Sequence, residues 1–173
     1  RYFPEITCFT NGVRLTPALS RALTEAGLSY LCWSRHHWGD ARNRELMGAS
    51  APSLPAFFEA AGGLAVRATC VMARGYVADR AGAGAYMQAL RGFGVRQFTF
   101  KHTYVAYPQS VWGDSDENHW ARRHQIEFDP FVGLGEVVGR LPWGPEIRRI
   151  GAHQVCWYRE PTPDWEKEHR LCR

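Results

Sequence analysis

The chain has no CxxC pair, no apolar run of bilayer length and no block of like charges, and each absence closes off a class of protein. Five cysteines (Cys8, Cys32, Cys70, Cys156 and Cys172) form an odd, widely spaced set. A disulfide frame or a clustered thiolate metal site therefore has no support, and reduced thiols in a cytoplasmic protein are the expectation. Nothing approaches the roughly 20 apolar residues that cross a bilayer, so no membrane partner is expected. Lys and Arg number 21 against 17 Asp and Glu, but the basic residues are scattered, so a nucleic-acid partner is not expected either. GxSxG, HExxH, GxGxxG and the P-loop are missing as well, which removes the familiar hydrolase, zinc-protease, dinucleotide and phosphate-loop readings.

What is present is enough for a folded core: 173 residues, 45% of them hydrophobic, with seven Trp. Residues 5–10 (EITCFT) are a short β-favouring run closed by Asn11 and Gly12. Thr16 and Pro17 then supply an N-cap and a first helical residue, Leu19, Ala22, Leu23 and Ala26 recur at helical spacing, and Gly27 stops the helix. The same grammar repeats. Strands are expected at 28–34, 64–73 and 95–105, with short helices at 43–48 and 52–63 and a longer one at 79–92. Strands alternating with helices at the length of a βαβ unit predict an α/β fold with parallel pairing in chain order. A doubly wound sheet and a (β/α) barrel both satisfy that pattern.

After Tyr107 the alternation lapses. Residues 108–125 read as a polar, aromatic loop, 128–141 as a helix, 146–159 as one strand, and the tail PTPDWEKEHRLCR as loop or a last helix. The chain thus divides into central βα units over 1–107 and an extension over 108–173. Both ends are abrupt and read as cuts from a longer protein; the alternative is a natural small domain with trimmed termini.

In parallel α/β arrangements ligands gather at the carboxyl ends of the strands. Those ends carry Thr10, Asn11 and Gly12; Ser34, Arg35, His36 and His37; Arg74; and Lys101 and His102. Alternation along a strand puts Cys8 with Thr10, Cys32 with Ser34 and His36, and Arg67 with Thr69. Thr10 and Ser34 also read as ordinary strand hydroxyls bonded to the backbone, Arg67 as a charge at a solvated edge, and Cys8, Cys32 and Cys70 as small core residues. His36 and His37 are the catalytic candidates, for substrate contact or proton transfer, against a structural role; adjacent residues of a strand face opposite ways and make a poor metal pair, so no metal ligand is expected in this chain.

The succession of apolar strand, Thr10-Asn11-Gly12 turn, capped helix ending at Ala26-Gly27, strand ending in Ser34, helical stretch and strand bearing Arg67 resembles the middle of radical S-adenosylmethionine (SAM) enzymes over residues 5–105. The resemblance implies a partial (β/α) barrel in which Thr10 and Asn11 on the third strand, Ser34 on the fourth and Arg67 on the fifth contact SAM, Arg67 through its methionine carboxylate, a match that suits the planar guanidinium fork. It also implies a [4Fe-4S] cluster that cleaves SAM to a 5'-deoxyadenosyl radical, a small-molecule or peptide substrate and a reductant protein as partner. The defining C-x3-C-x2-C loop and the Gly-Gly-Glu segment are missing and would lie before Arg1. Where the family often continues from Ser to Asp, this chain has Arg35, His36 and His37, so the substrate is not inherited. Two other functions compete: a cluster-free barrel scaffold that binds a ligand or peptide, and a different barrel enzyme using His36 or His37 as acid or base. The SAM reading places Thr10, Ser34 and Arg67 in one cavity at the mouth that bears His36.

Overall fold

A computed structural model of the chain describes residues 3–103, 105, 113–126, 128–161 and 168. The described residues include five complete helices and one seven-stranded sheet in the order β1-β2-β3-β4-β7-β6-β5. Strands β1 (Thr7–Thr10), β2 (Tyr30–Ser34), β3 (Val66–Met72) and β4 (Gln97–His102) are parallel neighbours in chain order, as their helical crossovers require. The helices between them are α1 (Pro17–Glu25), α2 (Asp40–Met47), α3 (Leu54–Ala61) and α4 (Arg80–Arg91). Each of three has a side-chain cap: Thr16 accepts from the Leu19 N–H, Ser53 from Ala56 and Asp79 from Gly82. The cap at Asp79, with Ala83, Tyr86 and Leu90 buried along one face, carries α4 through two glycines.

The core lies on one face of this sheet. Leu31 and Trp33 of β2, Ala68 and Cys70 of β3, Phe98 and Phe100 of β4 and Val155 and Trp157 further along all point the same way, since directly paired residues of a sheet share a face. The covering elements meet them there. Phe57 of α3 stacks on Trp33 at 3.6 Å, Tyr86 of α4 meets Phe98 and Phe100 edge-on, and Phe131 packs 5.0 Å from Phe100. Helix α1 joins the same layer through the Ser20 hydroxyl, which donates to the Ala60 carbonyl of α3 at 2.7 Å. Crossovers of one hand between strands taken in order place α1, α3 and α4 on one side. Among the described residues the opposite face of the sheet carries no helix.

The second half of the chain departs from the sequence reading in three places. Residues 116–124 form helix α5 (Asp116–His124) rather than loop. Its apolar period is thin, but Ser115 caps it by accepting from the Asn118 N–H, and acids open it while Arg122, Arg123 and His124 close it, matching the helix dipole. Residues 128–141 are not a helix. Asp129 turns the chain by accepting from the Phe131 N–H, and the β-branched pair Val137-Val138 lies in β5 (Glu136–Arg140), which pairs antiparallel with β6 (Glu146–Ile150). The expected single strand at 146–159 is broken by Gly151, whose φ of +57° suits the two-residue turn from Ile150 to His153 and starts β7 (His153–Tyr158). β7 returns to pair in parallel with β4, so the extension enters the same sheet as the βα units. The expectation for the tail falls largely on residues outside those described.

Gly12, in the turn after β1, sits at φ +84°, and a Cβ there would come within 2.7 Å of the Phe57 ring and 3.0 Å of the Trp33 indole nitrogen. Gly12→Ala is expected to cost about 2 kcal/mol, from the left-handed backbone and the forced shift of a packed ring pair. Urea unfolding with an unchanged m-value checks it; a loss below a few tenths would mean that the turn relaxes freely.

Candidate functional site

Three rows of side chains cross the bare face. The first, near the amino ends of the parallel strands, runs Phe9, Cys32, Arg67, Gln97 and Gln154. Two residues along, roughly 7 Å, comes a row of small polar groups, Ser34, Thr69, Thr99 and Cys156, continued by Ile147 of β6. The third holds Val71, Lys101 and Tyr158. Above the small row opens a cavity of about 460 Å³, with Phe9 on one side and Leu141 and Trp143 of the β5–β6 turn on the other. That volume is within the range of small-molecule sites.

The charges in this cavity are held in place. The Arg67 Nε donates to the Gln97 side-chain oxygen at 2.8 Å, an Nη lies 3.4 Å from Glu5, and the guanidinium sits 4.8 Å over the Tyr30 ring. Gln97 in turn donates to the Tyr30 hydroxyl at 3.1 Å. The Lys101 ammonium lies 4.2 Å over the Tyr158 ring and 3.2 Å from Glu160, which also accepts from the Tyr158 hydroxyl at 2.8 Å. Trp143 is fixed by donating to the Arg159 carbonyl at 2.7 Å, with its ring edge-on to Tyr158. Burial pushes the Cys156 thiol up to about 11, and Asp129 adds to the rise while Arg67 opposes it. Burial likewise raises Cys32. Both thiols are protonated at neutral pH and are poor nucleophiles.

The residues singled out from sequence do not gather in one place. Arg67 lines the cavity. Ser34 lies on the same face, paired with Thr69 but in the next row from Arg67. Thr10 turns the other way: it pairs with Trp33 and so belongs to the helix-covered face. Alternation fixes which residues of one strand share a face, while the register with the neighbour decides which face that is. Thr10 and Asn11 instead shape their turn, Thr10 Oγ1 accepting from the Gly12 N–H at 3.0 Å and Asn11 Oδ1 from Val13 at 3.1 Å. The Asn11 carbonyl accepts from the Trp33 indole at 3.2 Å.

His36 and His37 follow the end of β2 and build a locked loop. The Val71 N–H donates to His36 Nδ1 at 3.1 Å, and the His36 N–H donates to Asn43 at 2.8 Å. Burial holds the His36 imidazole down at about 4, against the pull of the Arg35 and Thr69 carbonyls. His37 Nδ1 accepts from the Gly39 N–H at 2.9 Å, its ring stacks on Trp38, and burial lowers its pKa too. Both rings are neutral at pH 7 with Nδ1 occupied by a backbone donor, which favours the structural role over proton transfer.

Arg35, passed over in the sequence, is the keystone of that loop. Its side chain is fully buried, bonded to Asp40 at 2.6 Å and to the carbonyls of Trp38 and Pro52, with its own carbonyl accepting from the Tyr86 hydroxyl. Asp40 also accepts from the Leu54 N–H that opens α3. The charged string RHHWGD contained this pairing, but nothing in the spacing marked which arginine turns inward. Thr99 and Gln97 were equally hidden, because their place on the bare face follows from strand register.

A larger groove of about 720 Å³ between α2 and α5 is walled by helix-surface side chains, among them Glu45, Tyr76, Asp116 and Trp120. It lies off the bare face, Asp116 already serves the amino end of α5, and Glu45 is paired with Arg42. Among the described residues no three His, Cys, Asp or Glu side chains are grouped to hold a metal ion, and no helix is long and apolar enough to cross a membrane. Comparison of the chain with protein-family models and with curated proteins returned no match.

Proposed function

We propose that the chain is the central part of a partial (β/α) barrel of radical SAM type, with the bare sheet face as the wall over which SAM and a small-molecule or peptide substrate meet. The supporting observation is the in-order parallel run β1-β2-β3-β4, with the helices α1, α3 and α4 packed on one face of it among the described residues. A doubly wound sheet reverses direction and carries helices on both faces, and parallel sheets left bare on one face without a barrel interior are rare. In radical SAM enzymes a [4Fe-4S] cluster supplies the electron that cleaves SAM. That cluster does not fit the described residues, whose cysteines Cys8, Cys32, Cys70 and Cys156 stand on four different strands. Its ligands, and the docking face of a reductant protein, are assigned to chain outside them, in a protein of the reducing cytoplasm.

On this reading Ser34, at the end of β2 beside Thr69, offers a hydroxyl to the SAM nucleoside, and Arg67, one row deeper in the face, offers its guanidinium to a carboxylate of the substrate rather than to that of SAM. Thr10 and Asn11 act by fixing the turn, not by touching the ligand. A second reading, a cluster-free scaffold that binds a ligand, is favoured by one observation: Arg67 already has Glu5, Gln97 and Tyr30 around it.

Anaerobic reconstitution separates the two. This chain alone is expected to retain no stoichiometric iron, whereas a longer protein carrying C-x3-C-x2-C ahead of it is expected to take up about four irons per chain and to release 5'-deoxyadenosine from SAM. About four irons on this chain alone would show the cysteines to be misread. A longer protein that binds ligand but never yields 5'-deoxyadenosine would be the scaffold.

A further inference from the structure

We infer that the cavity on the bare face takes an aromatic-bodied organic acid, its carboxylate seated on Arg67 and its ring held against Trp143 of the β5–β6 turn. The inference rests on the bare face being the ligand surface, and not on SAM being bound there. Arg67 is the seat because it is already oriented. Gln97 holds its Nε, Tyr30 backs its plane, and its one carboxylate contact is a 3.4 Å approach to the half-exposed Glu5. Such exposed pairs are weak, so a ligand carboxylate displaces Glu5 at little cost and gains a planar fork whose side-chain ordering is complete before binding.

The space beyond Arg67 has the shape for the rest of the ligand. Thr69, Thr99 and Cys156 are short, and the cavity above them is walled by apolar groups from a different part of the chain, Leu141 and Trp143 of the β5–β6 turn. Trp143 is braced by its bond to Arg159 and its edge contact with Tyr158, which makes it a fixed wall for a flat ring. Phe9 lies in the row with Arg67 yet is 71% exposed, an aromatic on a sheet face with nothing among the described residues to cover it. At the far end Lys101 has a comparable pairing with Glu160 and lies over the Tyr158 ring, but an ammonium is a point charge, and only Arg67 presents a planar fork held in orientation by Gln97.

Indole-3-acetate is the probe, with the neutral indole-3-acetamide as its partner, both titrated calorimetrically into the chain. The acid is expected to bind about tenfold more tightly than the amide, as befits one charge-assisted bidentate contact. Arg67→Gln should bring the acid to the level of the amide while leaving amide binding unchanged, which also shows that the variant is folded. Trp143→Ala should weaken acid and amide alike. Should Arg67→Gln prove unfolded by circular dichroism, Arg67→Lys is used, and is expected to lose part of the preference for the acid. Saturating SAM should leave the affinity for indole-3-acetate unchanged. The assignment is overturned if neither probe binds the folded chain at millimolar concentration, if acid and amide bind equally, or if SAM displaces the acid, since the seat would then belong to the SAM carboxylate. Failure of SAM to bind at all would count against the radical SAM reading and leave this assignment standing.

Discussion

Asp40→Ala is expected to destabilise the fold by about 3 kcal/mol, because it strands a guanidinium that has no exposure to water. Asp40 is itself about one third exposed, so little of this cost comes from its own burial and most from the charge it leaves behind. The Leu54 N–H would lose its acceptor at the same time. The informative variant is therefore the pair: Arg35→Met with Asp40→Ala removes the buried charge together with its partner, keeps most of the volume, and should recover a large part of the loss. Urea unfolding of the wild type, both single variants and the double variant closes the cycle. Additive losses would mean that Arg35 finds adequate partners in the Trp38 and Pro52 carbonyls without Asp40.

Acidification should act through His36. With its folded pKa held near 4 by burial and an unfolded value near 6.5, the unfolded chain binds more protons than the folded one between these values. The His36 contribution is thus fully present above pH 6.5 and is lost as the pH falls toward 4, by about 3 kcal/mol over that window. Protonation would also place a hydrogen on Nδ1, where the Val71 N–H now donates. Chemical denaturation at pH 7.5 and pH 4.5 measures the difference. His36→Gln should flatten it, and an equally steep acid loss in the variant would move the cause to other groups.

The first half of the fold was legible because its punctuation is local. Thr16-Pro17 ahead of α1, Ser53 ahead of α3 and Asp79 ahead of α4 each mark a helix start within a few residues, and β-favouring runs between them leave little choice of element. The parallel order followed from crossover length. The second half was obscured where signals compete. The caps and charges of α5 were present, but a helix with only Trp120 and Ala121 as apolar residues shows no period, and Phe128 to Leu141 imitates a helical spacing that Val137 and Val138 use in a strand. The site was half legible. Alternation grouped Cys32 with Ser34 and Arg67 with Thr69, and the register of β2 with β3 puts the two groups on one face, whereas the register of β1 turns Thr10 toward the helices. Lys101, Thr99 and Cys156 reach the cavity only through the pairing of β4 with β7.

That pairing sets an order on how the molecule comes together. β5, β6 and β7 form a meander joined by short turns, and β1 to β4 grow by local crossovers, so each half can assemble from near neighbours in the chain. The β4–β7 contact instead joins residues as remote as Gln97 and Gln154 across α5 and the whole hairpin. Its loop-closure entropy makes it the slow, late step. The floor of the cavity runs across that seam, and Leu141 and Trp143 stand on the far side of it. The pocket is therefore the last part of the protein to exist during folding and the first to vanish when the two halves part.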